Sequence, residues 1–218
     1  MTTALVPHRD AQFWDRVARK YAQDPVADPE GYARSIRRCE ALLAPTWRVV
    51  ELGCGTGTTA LQLAPRVLAY TGADLSREMI AIAEEKRLSA GVSSLRFVVA
   101  EAGAPLPEDG RCDAILAMNL LHLVPDLGRT LSQIFARLTP GGLFISKTAC
   151  LGDMNPLIRL VLPLARWLGK APATVRCFTA RELEAAVLAA GFEVLAVERH
   201  AAKGRDTRPF IVARRPGG

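Results

Sequence analysis

Three alternating glycines mark the part of this sequence best suited to binding a ligand. Gly53, Gly55 and Gly57 follow a short apolar run that ends near Glu51, and helix-compatible residues begin at Thr58. Glycine lets the backbone turn sharply and lets a ligand approach without a Cβ atom in the way. A helix that begins after such a turn directs its free N–H groups at the ligand. The segment therefore predicts a site for a nucleotide-like cofactor.

The glycine spacing by itself leaves two cofactor classes open. The dinucleotide pattern G-x-G-x-x-G/A fails when it is counted from the first glycine, but Gly55, Gly57 and Ala60 satisfy it. Two acids narrow the choice. Glu51 lies two residues before the first glycine, and Asp74 follows the next apolar run, where a ribose-binding carboxylate is expected in a doubly wound fold.

Glu-x-Gly-x-Gly-x-Gly followed by an aspartate at this interval resembles the class I S-adenosylmethionine-dependent methyltransferases. The resemblance covers roughly residues 45–215. It implies S-adenosyl-L-methionine as cofactor and an enzyme that transfers its methyl group. It also implies that Glu51, Gly53, Gly55, Gly57 and Asp74 bind the cofactor. The alternatives are a non-catalytic S-adenosylmethionine-binding or regulatory protein and a nucleotide-dependent oxidoreductase.

The same resemblance assigns cofactor contacts to the ends of other strands. Leu75 and Met79 offer apolar surface for the adenine, although Met79 could equally be a core residue. Glu101 stands where the family usually has an aspartate that accepts from the adenine amino group, and the backbone N–H of Ala102 would donate to the ring. Asn119 would lie beside the transferable methyl group.

Three side chains are candidates for contacting the methyl acceptor. His122 could act as a general base, because an imidazole titrates near pH ~6.5, or it could simply pack at a strand–helix turn. Lys147 could contact an anionic substrate group or extend to water. Tyr21, in an amphipathic N-terminal helix, could shape the substrate pocket or cover the sheet edge.

Alternating strand and helix patterns predict a Rossmann-like, doubly wound α/β sheet with helices on both faces. The last two strand-like runs, 192–199 and 209–213, are joined by a polar loop, which predicts a hairpin and an antiparallel last strand. The other predicted strands are 48–52, 68–73, 95–99, 113–118 and 142–148, and helices are predicted to begin near Thr58, Ser76, Asp126 and Ala180.

The whole chain, residues 1–218, is predicted to be a single methyltransferase domain, with helical cover over 9–44 and the cofactor-binding core over 45–218. Residues 155–170 form a strongly apolar insertion that carries three cations. We interpret it as a lid over the substrate pocket, which implies a small, partly apolar acceptor. Residues 156–170 could instead lie on an anionic membrane surface, although Pro163 would kink a helix there.

Composition limits the remaining possibilities. A chain of 218 residues with 50% hydrophobic content suits one domain with a sizeable core. Its N-terminus lacks the apolar run of a signal peptide. Five cysteines without a C-x-x-C pair favour a cytoplasmic location, and no metal site is predicted. The charge of +6 permits an acidic partner. Motifs typical of nucleic-acid methyltransferases are missing, so nucleic acid is a weaker substrate, and the oligomeric state is not indicated.

Overall fold

A seven-stranded sheet organises the chain. The computed structural model describes residues 9–104, 110–154, 157–204 and 206–217. The sheet order is β3-β2-β1-β4-β5-β7-β6, with β1 to β5 parallel and β7 antiparallel to both of its neighbours. The strands are β1 (Arg48–Leu52), β2 (Ala69–Asp74), β3 (Leu95–Val99), β4 (Cys112–Met118), β5 (Leu138–Lys147), β6 (Glu193–Glu198) and β7 (Phe210–Arg214). The predicted fold class and the antiparallel last strand are confirmed.

Helices cover both faces of the sheet and begin where local sequence favours a start. Ser76, Asp126 and Thr179 are N-cap residues, and their side chains accept from backbone N–H groups of the first turn. Thr179 and Glu182 form a capping box at the helix start that was predicted near Ala180. The helices are α1 (Arg9–Gln23), α2 (Pro29–Leu42), α3 (Thr58–Leu63), α4 (Arg77–Ala90), α5 (Leu127–Arg137), α6 (Leu157–Trp167) and α7 (Ala180–Ala189).

Two apolar cores lie on opposite faces of the sheet because successive strand residues point to opposite sides. Phe144 of β5 belongs to one core, which packs against α5 and α7, whereas Ile145 belongs to the other, which packs against α2 and α3. Both side chains are fully buried. The parallel strands thus hold their carboxyl ends at one fixed edge, where a ligand cleft is expected.

Strand β5 begins earlier than the sequence indicates. Leu138 already pairs with Cys112, and pairing then shifts so that Leu143 lies opposite Ala114. The intervening Pro-Gly-Gly residues bulge out, with Gly141 at φ 82°. The Pro-Gly-Gly residues, which favour a tight turn, therefore interrupt the strand as a bulge.

Helix α6 forms most of the apolar insertion, and none of its described residues lines the cleft at the carboxyl ends of the strands. Helix α6 runs through Pro163 without ending there. Asn155 and Pro156, at the start of the predicted lid, lie outside the described residues. Most of the large apolar side chains of α6 are exposed, whereas a lid closed over an apolar pocket would bury them.

Candidate active site

The glycine loop between β1 and α3 forms the floor of a cleft at the carboxyl ends of the strands. Gly53, Gly55 and Gly57 have positive φ angles of 66°, 53° and 75°. A Cβ atom at Gly53 would lie 2.7 Å from the side chain of Leu120, so only glycine fits there. Above Gly55 the nearest atom is 3.9 Å away, in the ring of Tyr21. The backbone of Gly55 is therefore open to a ligand that slides beneath that ring.

Asp74, the last residue of β2, anchors this loop. Its Oδ2 accepts from the backbone N–H of Gly55 at 2.9 Å, and its Oδ1 accepts from that of Ser76 at 2.9 Å. Burial raises the pKa of Asp74, while both backbone donors oppose that rise. Each carboxylate oxygen can accept more than one bond, so both remain able to bind the hydroxyls of a ribose. The carboxylate thus fixes the floor and faces the cleft at the same time.

Glu51 lies beneath the glycine loop instead of in the cleft. The side chain is 1% exposed, and its Oε2 accepts from the hydroxyl of Tyr70 at 3.0 Å. Burial raises the pKa of Glu51 to about 8, so its carboxyl group is mostly protonated at neutral pH. Glu51 does not line the cleft, and its predicted direct contact with the cofactor is not seen in this geometry.

Four residues form the side of the cleft near β2 and β3. Leu75, Met79, Glu101 and Ala102 all line it. Met79 is 2% exposed and also packs against Ala18 of α1, so it serves the core and the cleft together. The side chain of Glu101 is exposed at the rim, where its carboxylate can accept from an amino group.

Asn119 closes the β4 end of the cleft in an uncommon backbone conformation. Its φ is 55°, in the left-handed region that asparagine tolerates better than most residues. Its backbone N–H donates to the carbonyl of Lys147 at 2.6 Å, which ties the turn to β5. This turn brings Asn119 and Leu120 to the cleft wall.

Helix α1 forms the roof of the cleft. Asp10, Trp14 and Tyr21 lie on one face of α1, and all three line the cleft. Asp15 holds the helix down, because its Oδ1 accepts from the Oγ of Ser76 at 2.6 Å and from the N–H of Glu78 at 3.2 Å. The structure thus has a helix over the cleft within the region predicted as helical cover, and Tyr21 of that helix lines the cleft.

Several cleft residues were not singled out from the sequence. Asp10 accepts from the N–H groups of Ala173 and Thr174 at 2.6 and 3.2 Å, and Thr174 itself lines the cleft. Only the amphipathic pattern of α1 could have pointed to Asp10. Helix α5 contributes Arg129, Thr130 and Gln133, which carry no motif.

His122 does not line the cleft. It lies in a single 3-10 turn after β4, and burial lowers its pKa to about 4, with a further lowering by the charge of Arg208. Its Nδ1 atom has no hydrogen-bond partner among the described residues. Such an imidazole is neutral at pH 7 and a weak base. The geometry favours the packing interpretation of His122 over the catalytic one.

Lys147 joins strand β5 to helix α2 through hydrogen bonds. Its Nζ donates to the Oγ of Ser35 at 3.0 Å and to the carbonyl of Gly31 at 3.4 Å, both in α2. Burial lowers its pKa. Lys147 and Gly57 are both absent from the cleft wall, and Gly57 instead begins α3 as its N-cap residue.

The cleft has a volume of about 440 Å³, within the range of small-molecule sites. Apart from the groups named above, its wall is largely apolar, and helix α6 contributes none of its described residues. The described part of the chain contains no cluster of side chains that could hold a metal ion. Among those same residues, no helix is long and apolar enough to cross a membrane.

A sequence model described as "Methyltransferase domain" matches residues 19–197. This match covers most of the chain and includes the glycine loop, Asp74 and every strand up to β6. The chain belongs to this family. It is an S-adenosylmethionine-dependent methyltransferase domain, and not a nucleotide-dependent oxidoreductase.

Relatives of the methyltransferase domain include proteins of several kinds. A putative methyltransferase, YqeM of Bacillus subtilis, is 31% identical over 110 residues, covering 49% of this chain and 44% of the relative. A ubiquinone biosynthesis O-methyltransferase of Sinorhizobium medicae is 27% identical over 96% of this chain and 84% of the relative. The matched region spans less than half the length of several curated relatives.

The solved structures show how widely this fold is shared. The crystal structure of the [4+2]-cyclase SpnF superposes with a TM-score of 0.75, covering 97% of both chains at 21% identity. At that identity the likeness concerns the fold alone, and that protein's title names a cyclase.

The observed site fits S-adenosylmethionine as the cofactor. At Gly55 the nearest side chain is the ring of Tyr21 in ordinary van der Waals range, Asp74 presents two carboxylate oxygens, and Glu101 stands at the far rim. These residues, together with Leu75 and Met79, would hold the amino-acid, ribose and adenine parts in turn. The cofactor supplies a methyl group already activated on a sulfonium.

Proposed function

We propose that this methyltransferase domain methylates a small, partly apolar acceptor. The observation that carries the proposal is the cleft itself, with a polar floor at Gly55 and Asp74 and a mostly apolar section of wall between α1 and the end of β4. The floor suits the cofactor, and the apolar wall suits the acceptor. A volume of about 440 Å³ is within the range of small-molecule sites.

The acceptor would contact the cleft near Trp14 and Tyr21 of α1 and Met118 and Leu120 at the end of β4. These side chains offer apolar and aromatic surface, with Asn119 as a polar group among them. An acceptor with a ring or a short hydrocarbon part and one nucleophilic atom matches that lining.

Alignment is the main contribution we assign to the protein in the transfer step. His122, with its lowered pKa, does not reach the cleft, so it is a poor candidate for the general base. An acceptor lone pair held in line with the sulfonium methyl needs positioning more than it needs a base. The roof helix and the turn at Asn119 would provide that positioning and exclude water.

A cytoplasmic location is part of the same proposal. All five cysteines are free thiols, and four of them are buried. Burial raises the pKa of Cys39, Cys112 and Cys150 to about 12, so these thiols stay protonated and unreactive. A reducing compartment suits a protein that keeps five cysteines without a disulfide.

The test uses S-adenosylmethionine labelled on its methyl group, incubated with the protein and a cell extract that is then separated into organic, aqueous small-molecule and macromolecular fractions. We expect label in the organic or the small-molecule fraction. At S-adenosylmethionine concentrations below the native dissociation constant, the Asp74→Asn variant should reduce the label by about tenfold or more, and Asp24→Asn, at an exposed residue between α1 and α2, should not. Label confined to the macromolecular fraction would overturn the proposed acceptor class.

A further inference from the structure

Helix α6 presents an apolar face to solvent. Its exposed large side chains recur at helical spacing, and they are 50–81% accessible. The five residues that we call the α6 stripe are Leu160, Val161, Leu164 and Trp167 of the helix and Leu168 directly after it. Ile158 and Leu162, on the opposite side of the helix, are partly buried. A contiguous apolar face of this kind marks an interaction surface.

Exposed cations follow α6 in the sequence and lie on helix α1, and we call Lys170, Arg9, Arg16 and Lys20 the basic border of the stripe. Residues 154–178 include four cations and not one aspartate or glutamate. The Nη2 atom of Arg16 donates to the carbonyl of Gly169 at 2.9 Å, which joins α1 to the end of α6. Arg9, Arg16 and Lys20 are all exposed, and their spacings of seven and four residues place them on one face of α1. Arg16 therefore lies beside the end of α6, and Arg9 and Lys20 share its face of α1.

We propose that the α6 stripe and its basic border dock on the surface of an anionic phospholipid bilayer. An eleven-residue helix is about 16 Å long, too short to cross a bilayer, but long enough to lie in its interface. Trp167, at 81% exposure, is the residue type that favours the headgroup region. Lys170 and the α1 cations would meet the negative lipid headgroups.

Charge favours a lipid surface over a second copy of this chain. Two copies that met through their α6 stripes would bring two basic borders together, and residues 154–178 offer no acid to pair with them. A lid over the cleft is not supported either, because no described residue of α6 lines the cleft. An anionic bilayer satisfies both the apolar stripe and the cations.

Docking in this way would set the cleft close to the lipid. The segment after α6 is bonded to the roof helix, since Asp10 accepts from the N–H groups of Ala173 and Thr174. Thr174 also lines the cleft. Vesicle binding needs no methyl transfer, so this inference stands or fails separately from the proposed reaction.

Flotation with lipid vesicles tests the inference. We expect the full chain to float with phosphatidylcholine vesicles that contain about one third phosphatidylglycerol, and at least about tenfold less with pure phosphatidylcholine. The variant Leu164→Gln/Trp167→Gln should lose about tenfold or more of the anionic-vesicle binding. The matched control is Leu88→Gln/Leu188→Gln, which alters two exposed leucines on α4 and α7.

Further measurements make the result decisive. The Lys170→Gln variant should weaken binding, and added salt should weaken that of the native chain, because the headgroup attraction is screened. Equal binding of the stripe and control variants would overturn the inference. So would light scattering that shows a native dimer dissociated by the stripe variant without lipid. Calorimetry with S-adenosylmethionine should give equal affinity for both variants, which separates this result from any failure of the proposed reaction.

Discussion

At the scale of single residues, we expect Asp74 to carry most of the cofactor recognition. Its two oxygens accept from the backbone N–H groups of Gly55 and Ser76, and its side chain also lines the cleft. Replacing it with asparagine would exchange one carboxylate oxygen, an acceptor, for an NH2 group, a donor. That NH2 group would face the backbone N–H of Gly55 or Ser76 without forming a hydrogen bond. We expect Asp74→Asn to weaken S-adenosylmethionine binding by about 10- to 100-fold.

Calorimetry of purified protein measures this affinity directly. The Asp24→Asn variant supplies the matched control, because its side chain is exposed away from the cleft. A dissociation constant within twofold of the native value for Asp74→Asn would contradict the assigned role.

Glu51 makes stability depend on pH. Burial raises its pKa to about 8, so the folded protein holds this proton more tightly than the unfolded chain does. Its stabilising effect is complete below the unfolded pKa and is lost as pH rises through about 8. Without cofactor, the native chain should therefore lose stability relative to Glu51→Gln from pH 5 to 8, by roughly 1 kcal/mol per pH unit.

Urea unfolding of both proteins at several pH values measures this difference. The glutamine can still accept from the hydroxyl of Tyr70, so its packing is a fair match to the protonated acid. A difference in unfolding free energy that stays constant from pH 5 to 8 would show that Glu51 is ionised in the folded protein.

The residues that sequence reasoning located are those whose role depends on the backbone. Gly55 and Asp74 could be identified because a turn without Cβ atoms and an acid after the next strand leave a pattern in the sequence. Glu51 was assigned to the cofactor, yet it points under the loop toward Tyr70, nineteen residues away. The side on which a strand-end residue emerges depends on sheet register, which one sequence does not reveal.

At the scale of secondary-structure elements, helix α1 forms the roof of the cleft. Trp14 lines the cleft, contacts Tyr21 edge-on at 6.4 Å, and packs with Ala18. We expect Trp14→Ala to raise the rate of S-adenosylmethionine release by about tenfold, because part of the apolar roof is lost. Stopped-flow displacement measures that rate.

Gln12→Ala, on the exposed side of the same helix, is the control for this experiment. Any loss of α1 structure would affect both variants. Equal release rates for Trp14→Ala and the native chain would mean that α1 opens and closes independently of its contact with the ligand.

Lys147 was predicted as a substrate contact, but in the structure it joins strand β5 to helix α2. Its position at the carboxyl end of β5 suggested a substrate role, but its Nζ binds Ser35 and Gly31 of α2. We expect Lys147→Met to lower the free energy of unfolding by about 1–2 kcal/mol while leaving S-adenosylmethionine affinity within twofold. Thermal melting and calorimetry measure the two effects.

The contrary result for Lys147→Met would be a native melting temperature with a clear loss of cofactor affinity. It would restore Lys147 to the site and require α2 to move when ligand binds. Helix α2 was predicted from its sequence, but its tie to β5 joins residues 112 positions apart and could not be predicted.

At the scale of the whole molecule, stability should decrease from the centre of the sheet outward. Strands β1 and β4 have paired strands on both sides and are almost fully buried, whereas β6 lies at the edge and α6 is largely exposed. We expect amide hydrogens in β1 and β4 to exchange most slowly and those in α6 fastest among the described helices. Peptide-resolved mass spectrometry measures this order.

The same hydrogen-exchange measurement, repeated with anionic vesicles, also tests whether α6 docks on lipid. If α6 docks on lipid, its exchange should slow when vesicles are added, while exchange in β1 and β4 stays the same. Protection of α6 that is already as strong as in β4 without lipid would show that the helix is covered in solution.

The strand order also dictates a sequence of assembly. Strand β7 lies between β5 and β6, although β6 comes first along the chain. Strand β6 therefore joins the sheet only through β7, and the edge of β5 is unpaired until β7 binds it. Either the β6–β7 hairpin forms first and pairs with β5 as a unit, or β7 pairs with β5 before β6 is added. Such an unpaired edge attracts other strands, so this late closure is the step at which a newly made chain is most exposed to aggregation.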